Sequence, residues 1–334
     1  MAKSYSDADA SLDPLKGKTV AFVGYGSQGR HQALNMKDSG LKVLIGLRNR
    51  SSPSWAEAER DGFEATLVDD AAKRADLVIL ISPDETHEAV YRDSIHPHMK
   101  AGKTLGVSHA FSVYYGLVLP PKECDVVMIA PKAPGPTVRR EFQNGFGVPC
   151  LVAVHQDASG KALQTALAWA KAIGSTRAGV LRTTFKEEVE TDHFGEIAVL
   201  CGGTAELVKA GFDTLVEAGY QPEAAYFECL HELKLIVDLI QEGGIEHMWD
   251  CVSTTAEYGG RLHGKSVVTA DTRKRMGKIL KHIQSGNYAK ELIAEQRAGM
   301  PTMKRMRDEE RNHPLERVGA DLRKMMKRQS PAKK

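Results

Sequence analysis

The sequence predicts an α/β domain built on a parallel sheet, followed by an all-helical domain. Three observations carry this. A Gly-x-Gly-x-x-Gly turn at Gly24–Gly29 directly follows a β-branched, apolar run at Thr19–Val23. Short apolar runs then alternate with amphipathic stretches through the first half of the chain. Beyond about Arg182 strand-like runs become scarce.

Taken in order, Lys42–Leu47, Leu77–Ser82, Thr104–Val107, Asp125–Ala130 and Cys150–His155 read as further strands, and Ser175–Val180 as one more. Helical patterns such as Trp55–Asp61 and His87–Asp93 lie between them. Strand–helix alternation calls for βαβ units and a parallel sheet covered by helices on both faces. Past Arg182, Phe185–Ala218 reads as helix with few breaks. Pro222–Gln241 reads as another, with proline at a helix start and Gly243–Gly244 after its end. The division expected is therefore 1–182 for the α/β domain, 183–328 for the helical domain and 329–334 for a basic tail. No Pro/Gly/Ser-rich linker or internal repeat separates them.

The 334 residues suit two domains, since a domain usually has roughly 100–200. Hydrophobic residues make up 42% and charged residues 26%, the balance of a globular chain with a sizeable core. The 45 basic and 43 acidic residues give a net charge of +2, which offers no reason to expect nucleic acid as a partner. The basic stretch Arg323–Lys334 reads as a solvated tail. No apolar run approaches the about 20 residues that span a membrane. The polar, acidic segment Met1–Asp13 resembles neither a signal peptide nor a transit peptide. Cys124, Cys150, Cys201, Cys229 and Cys251 form no CxxC pair and lie in apolar runs. Reduced core thiols in a cytoplasmic protein are expected.

The glycine turn has a physical reading in this context. Gly24 allows the tight turn, Gly26 lets the backbone approach a pyrophosphate, and Gly29 lets the helix beginning there pack closely on the strand. Arg30–Met36 continues as that helix. An ordinary Gly-rich turn is the plainer alternative; the strand before and the helix after favour a Rossmann-type dinucleotide site. The end of the second strand reads Gly46–Leu47–Arg48–Asn49–Arg50–Ser51–Ser52. It lacks the acid that accepts from the ribose hydroxyls of NAD and instead has arginines and serines, which suit a 2′-phosphate. NADPH is therefore the expected cofactor. A solvated basic loop is the competing reading.

In the second half, Glu187, Glu188, Glu190, Asp192 and Glu196 lie close together. Asp192 and Glu196 are four apart, as are Glu228 and Glu232, so on a helix each pair shares a face. Their neighbours are apolar, and unpaired carboxylates are costly to bury. Two such pairs call for a compensating cation, and oxygen ligands without a Cys/His cluster suit Mg²⁺ or Mn²⁺. Two solvated acidic faces remain the plainer reading of the spacing alone.

Together with Ser108–Phe111, Ala130–Gly135, Gly145–Pro149, Thr191–Glu196, Tyr226–Glu232 and Thr255–Gly259, the glycine turn resembles the ketol-acid reductoisomerases (acetohydroxy-acid isomeroreductases) of the short-chain class I. The resemblance covers nearly the whole chain. It implies a knotted, interlocking helical domain and two Mg²⁺ ions. Asp192 would bridge both ions, Glu196 would hold one, and Glu228 and Glu232 would serve the other metal and its waters. It further implies a substrate contact at Ser253, an active-site histidine at His109 and a lysine near the reacting oxygens at Lys132. Gly24, Tyr25, Gly26, Ser27, Gln28, Arg48, Ser51, Ser52, Asp84–His87 and Gly135 would touch the cofactor. Outside the family, His109 at a strand end would more often be structural, and Lys132 a loop charge. His193 and Ile197 stand where the family commonly has Leu and Gln, and Arg50 and Pro53 are unexpected in a slightly longer Arg48–Trp55 loop.

The reaction the resemblance implies is an alkyl migration in 2-acetolactate or 2-aceto-2-hydroxybutyrate, then reduction by NADPH to the 2,3-dihydroxy acid of valine and isoleucine synthesis. Glu232 or a metal-bound hydroxide would serve as base. The resemblance also implies a homodimer, or a larger homo-oligomer, in which Glu228, Glu232 and Ser253 complete the partner's site. A metal-independent 2- or 3-hydroxyacid dehydrogenase would explain the glycine turn but not the carboxylate pairs. A cofactor-sensing scaffold would have no need of those ligands.

Overall fold

Among the described residues nine strands form one mixed sheet: β1 Ser4–Tyr5, β2 Thr19–Val23, β3 Lys42–Leu47, β4 Glu64–Leu67, β5 Leu77–Leu80, β6 Thr104–Val107, β7 Asp125–Pro131, β8 Cys150–Gln156 and β9 Val180–Arg182. Their order is β1-β9-β8-β7-β6-β5-β2-β3-β4 in the computed structural model, which describes residues 2–326. The expected tail at 329–334 lies outside the described residues.

The six central runs sit where their composition places them. β2 is buried along its whole length, as a strand covered on both faces must be. β2 pairs in parallel with β3 on one side and β5 on the other. Two apolar layers flank the sheet. Phe22, Ile79, Val127 and Trp169 belong to one; Leu44, Leu80, Leu105 and Met128 belong to the other.

The sheet and the thiols depart from expectation in three ways. The sheet is not wholly parallel, because β7–β8 and β1–β9 are antiparallel. Ser175–Ala178 is a helical turn, and the last strand begins only at Val180, after Gly179 takes φ 112°. The thiols are not all in the core: Cys124 and Cys150 are buried, whereas Cys201 and Cys251 are exposed. Burial pushes the Cys150 thiol up to about 12.

The chain divides into two compact units between Thr191 and Asp192. Helix Phe185–Gly195 carries both residues. No strand follows Arg182 among the described residues. The second unit has its own apolar cluster, including Phe212, Tyr226, Leu315 and Leu322. Its helices contain wide π turns at Glu196–Leu200 and Phe227–His231. The helix expected to stop before Gly243 instead runs Leu233–Cys251, with a break at Gly244, where φ is 87°.

Candidate functional site

The sheet reverses its winding between β2 and β5, and a cleft of about 580 Å³ opens there. In open α/β sheets such a switch point, at the carboxyl ends of the strands, is where ligands bind. The cleft is lined by the ends of β2, β3 and β5 and by Ser108 and His109 after β6. Gly24 turns the chain with φ 115°, and a side chain there would meet the Ser82 amide nitrogen at 2.7 Å. Gly29 lies so close under the turn that a Cβ would come within 2.5 Å of the Gly24 carbonyl oxygen. Helix α1, Ser27–Asp38, starts at this turn and aims its N-terminus into the cleft.

Gly24, Tyr25, Gly26, Ser27, Gln28, Arg48, Ser52, Asp84 and His87 all line the cleft. Ser51 does not: its hydroxyl turns to Asn49 Oδ1 at 3.1 Å. Arg50 lays its guanidinium 5.9 Å from the Trp55 ring, so Arg48 is the loop arginine at the cleft. Ser54, which the sequence reading passed over, lines it as well. Its clue was Pro53, which opens helix α2, Pro53–Arg60, just before it.

Gln28 donates to the Ala133 carbonyl at 2.8 Å, tying the glycine turn to the loop after β7. Gly135 acts through the same contact surface and does not line the cleft. A Cβ on it would come within 2.1 Å of the Ser27 carbonyl oxygen. Gly135→Ala is expected to push the turn away, at a cost of about 1–3 kcal/mol. Titration with NADPH should show weakened binding, and an unchanged affinity together with an unchanged Tm would refute the contact. His87 is buried, with Nδ1 2.7 Å from Ser112 Oγ and Nε2 2.8 Å from the Ser82 carbonyl. Burial pulls its pKa below the ordinary imidazole value.

At the β6 end of the cleft stands a residue that the sequence reading noticed without assigning. Glu188 is 1% exposed. It accepts from the Ala110 backbone N–H at 3.0 Å and meets His109 Nδ1 at 3.1 Å. The Lys132 ammonium lies 3.7 Å from the same carboxylate. A carboxylate partner makes Nδ1 of His109 the protonated nitrogen. Phe111 stacks parallel to the imidazole at 6.3 Å. His109 and Lys132 are therefore held together through Glu188.

One turn further along the same helix comes Asp192. Ligand atoms of His109, Glu188 and Asp192 all lie within 4.8 Å of one another. Two carboxylate oxygens and an imidazole are a donor set that fits a divalent cation. Among the described residues this is the group of three or more such side chains that converges, and Glu196, Glu228 and Glu232 are not in it. Within one chain those three glutamates are exposed, as is Ser253, which caps helix Thr254–Val267 by accepting from the Ala256 N–H at 3.2 Å. Apolar neighbours in sequence had suggested burial for both carboxylate pairs. In one chain only Asp192 is partly covered. Glu196 opens one π turn and Glu228 lies in the other, a distortion frequent at functional sites.

Fold and cleft thus define an NAD(P)-binding domain of the oxidoreductase kind joined to a helical domain. Comparison with known proteins makes this particular. Residues 14–179 match the family model described as acetohydroxy acid isomeroreductase, NADPH-binding domain. Residues 185–328 match ketol-acid reductoisomerase, C-terminal domain. A solved NADH-preferring ketol-acid reductoisomerase from an uncultured archean is 45% identical, with TM-score 0.95 over 98% of this chain and 100% of that one. A semialdehyde dehydrogenase NAD-binding protein from Cupriavidus necator is 19% identical, with TM-score 0.58 over 80% of this chain and 99% of that one. A putative oxidoreductase from Jannaschia sp. CCS1 is 20% identical, with TM-score 0.60 over 83% of this chain and 98% of that one. The last two share the fold. The chain belongs to the ketol-acid reductoisomerase family.

Proposed function

We propose that the chain is an NADPH- and Mg²⁺-dependent ketol-acid reductoisomerase that converts 2-acetolactate and 2-aceto-2-hydroxybutyrate to the corresponding 2,3-dihydroxy acids. Family membership assigns it to branched-chain amino-acid biosynthesis. One observation carries the finer reading: His109 belongs both to the dinucleotide cleft and to the carboxylate group with Glu188 and Asp192. A reaction that needs a hydride donor beside polarised substrate oxygens requires that adjacency.

Asp192 and Glu196 would hold Mg²⁺ from one chain, and Glu228 and Glu232 from its partner. Two bound Mg²⁺ ions would supply Lewis acidity toward the hydroxyl, ketone and carboxylate oxygens. Glu188 holds His109 in one tautomer and keeps the Lys132 ammonium beside it, so both side chains are oriented before substrate arrives. Glu232 is the candidate base for the substrate hydroxyl, and Ser253 a candidate substrate contact. Residues 183–328 would form the metal and substrate domain.

A homodimer with an interlocking helical domain is part of this reading. What supports it is the apolar surface that one second unit leaves open: Leu200 is 69%, Ile245 60% and Val267 60% exposed. Patches of that kind mark association surfaces. No helix of the described residues is long and apolar enough to cross a membrane, and all five cysteines are free. A cytoplasmic location fits both.

NADPH is favoured over NADH by Arg48, Ser52 and Ser54 at the cleft and by the α2 N-terminus between them. Oxidation of NADPH with 2-acetolactate should require Mg²⁺, stop in EDTA and resume when Mg²⁺ is restored. Turnover that survives EDTA would instead indicate a metal-independent hydroxyacid dehydrogenase. A higher kcat/KM with NADH than with NADPH would overturn the cofactor preference.

A further inference from the structure

Helix α2 has an unusual anchorage. It is eight residues long and fully buries only Ala58. Its N-terminal end brings Ser52 and Ser54 to the dinucleotide cleft, and the Ser52 side chain makes no capping hydrogen bond. Its apolar packing is that of Ala58 and a partly buried Trp55 against the core, which holds the helix to the sheet but fixes its position along its own axis only loosely.

Its other end is tied down by a polar network. Arg30, on α1, reaches across to Asp61, the residue that ends α2. The guanidinium Nε is 2.7 Å from Oδ2 and Nη2 is 3.1 Å from Oδ1. The same guanidinium lies 2.8 Å from Glu57, one turn back on α2. Tyr25, in the middle of the glycine turn, donates its hydroxyl to Asp61 Oδ2 at 2.8 Å. Its ring meets Phe63 edge-on at 5.9 Å. Lys37 adds bonds to the Asp61 and Gly62 carbonyls at 2.8 and 2.9 Å. Two-point contact between guanidinium and carboxylate specifies direction as well as distance.

We propose that Tyr25, Arg30 and Asp61 form a clamp that sets the α2 N-terminus at a defined height over the glycine turn, and so decides how tightly a dinucleotide bearing a 2′-phosphate is held relative to one without it. The inference rests on the reading that the cleft holds the cofactor. The glycine turn receives the pyrophosphate; the loop Arg48–Ser54 receives the adenosine ribose. Tyr25 belongs to the first and Asp61 ends the helix that begins at the second, so the clamp is a ruler between the two subsites. Arg30 and Asp61 are positioning residues. The Arg30 guanidinium holds the Asp61 carboxyl below its usual range. Burial, then Asp61, pushes the Tyr25 phenol up, so the donor and acceptor keep their roles across the working pH range.

The sign of the effect separates positioning from simple charge. Asp61→Asn removes a negative charge from the far end of α2, which by itself would leave binding of a 2′-phosphate unchanged or slightly tighten it. A broken clamp weakens it. NADPH and NADH are titrated, by nicotinamide fluorescence, into the full-length wild type, Asp61→Asn and Tyr25→Phe, with the Tm of each recorded. The expected result is an NADPH Kd raised about tenfold in Asp61→Asn and about threefold in Tyr25→Phe. NADH Kd should move by less than about twofold, so that the ratio of the two affinities falls. Wild-type protein that binds neither dinucleotide overturns the reading of the cleft, and the clamp with it. Wild-type binding with unchanged or tightened NADPH affinity in the folded variants overturns the clamp alone. If Asp61→Asn fails to fold, Tyr25→Phe, which changes no charge, decides.

Discussion

Glu188→Gln lowers kcat by about 10²-fold or more while leaving NADPH affinity within about threefold. The amide can still accept from the Ala110 N–H at one end. The other end then presents an N–H to His109 Nδ1, which is itself a donor; in the flipped amide an uncharged oxygen faces His109 and Lys132 and the Ala110 N–H loses its acceptor. In the first case the imidazole must change tautomer; in the second the lysine loses the negative charge of Glu188. Glu188→Ala adds a stability loss, since removing one member of a buried charged set costs about 3–5 kcal/mol. The readouts are steady-state turnover with 2-acetolactate, dinucleotide titration and Tm. A Glu188→Gln protein with kcat within threefold of wild type would show that His109 and Lys132 need no such organiser.

The second large effect concerns shared sites. Asp192→Ala and Glu232→Ala are each expected to lose turnover by about 10³-fold or more, because each removes a ligand from the proposed two-metal centre. If the metal site draws Asp192 from one chain and Glu232 from its partner, mixing the two inactive proteins and allowing exchange builds one intact site per heterodimer. Random reassortment places half of the chains in heterodimers, so activity should recover to about one quarter of the wild-type value. Exchange is verified independently with differently tagged chains. Verified exchange without recovery would confine Asp192 and Glu232 to a site within one subunit. The exposure of Glu228, Glu232 and Ser253 in a single chain is what makes this experiment decisive.

Much of the first unit was legible in the sequence because its cues are local. β2, β5, β6 and β7 are buried along almost their whole length and β3 and β8 over much of theirs, and the apolar runs this requires made all six legible. β4 was not, because it lies at the sheet edge with no residue fully buried. β1 is two residues long and exists only through its pairing with β9. The reversal of β8 left no mark, since side-chain alternation is the same in either direction. Gly24 and Gly29 were readable because only glycine fits their backbone geometry.

By itself, then, the sequence determined the α/β-then-helical order, the dinucleotide turn and the resemblance that the comparisons bore out. Tertiary structure alone decided which acid organises the site. Glu187, Glu188 and Glu190 are alike in sequence, yet only Glu188 receives the Ala110 N–H, His109 and Lys132. It decided equally that Ser54 rather than Ser51 faces the cleft, and that Arg30 and Tyr25 meet on Asp61. The physical reason is plainest for Glu188 and for Asp61. Hydrogen-bonding partners separated by some 30 to 80 positions are set by how strands and helices stack, and periodicity along one chain segment carries no record of what lies across from it.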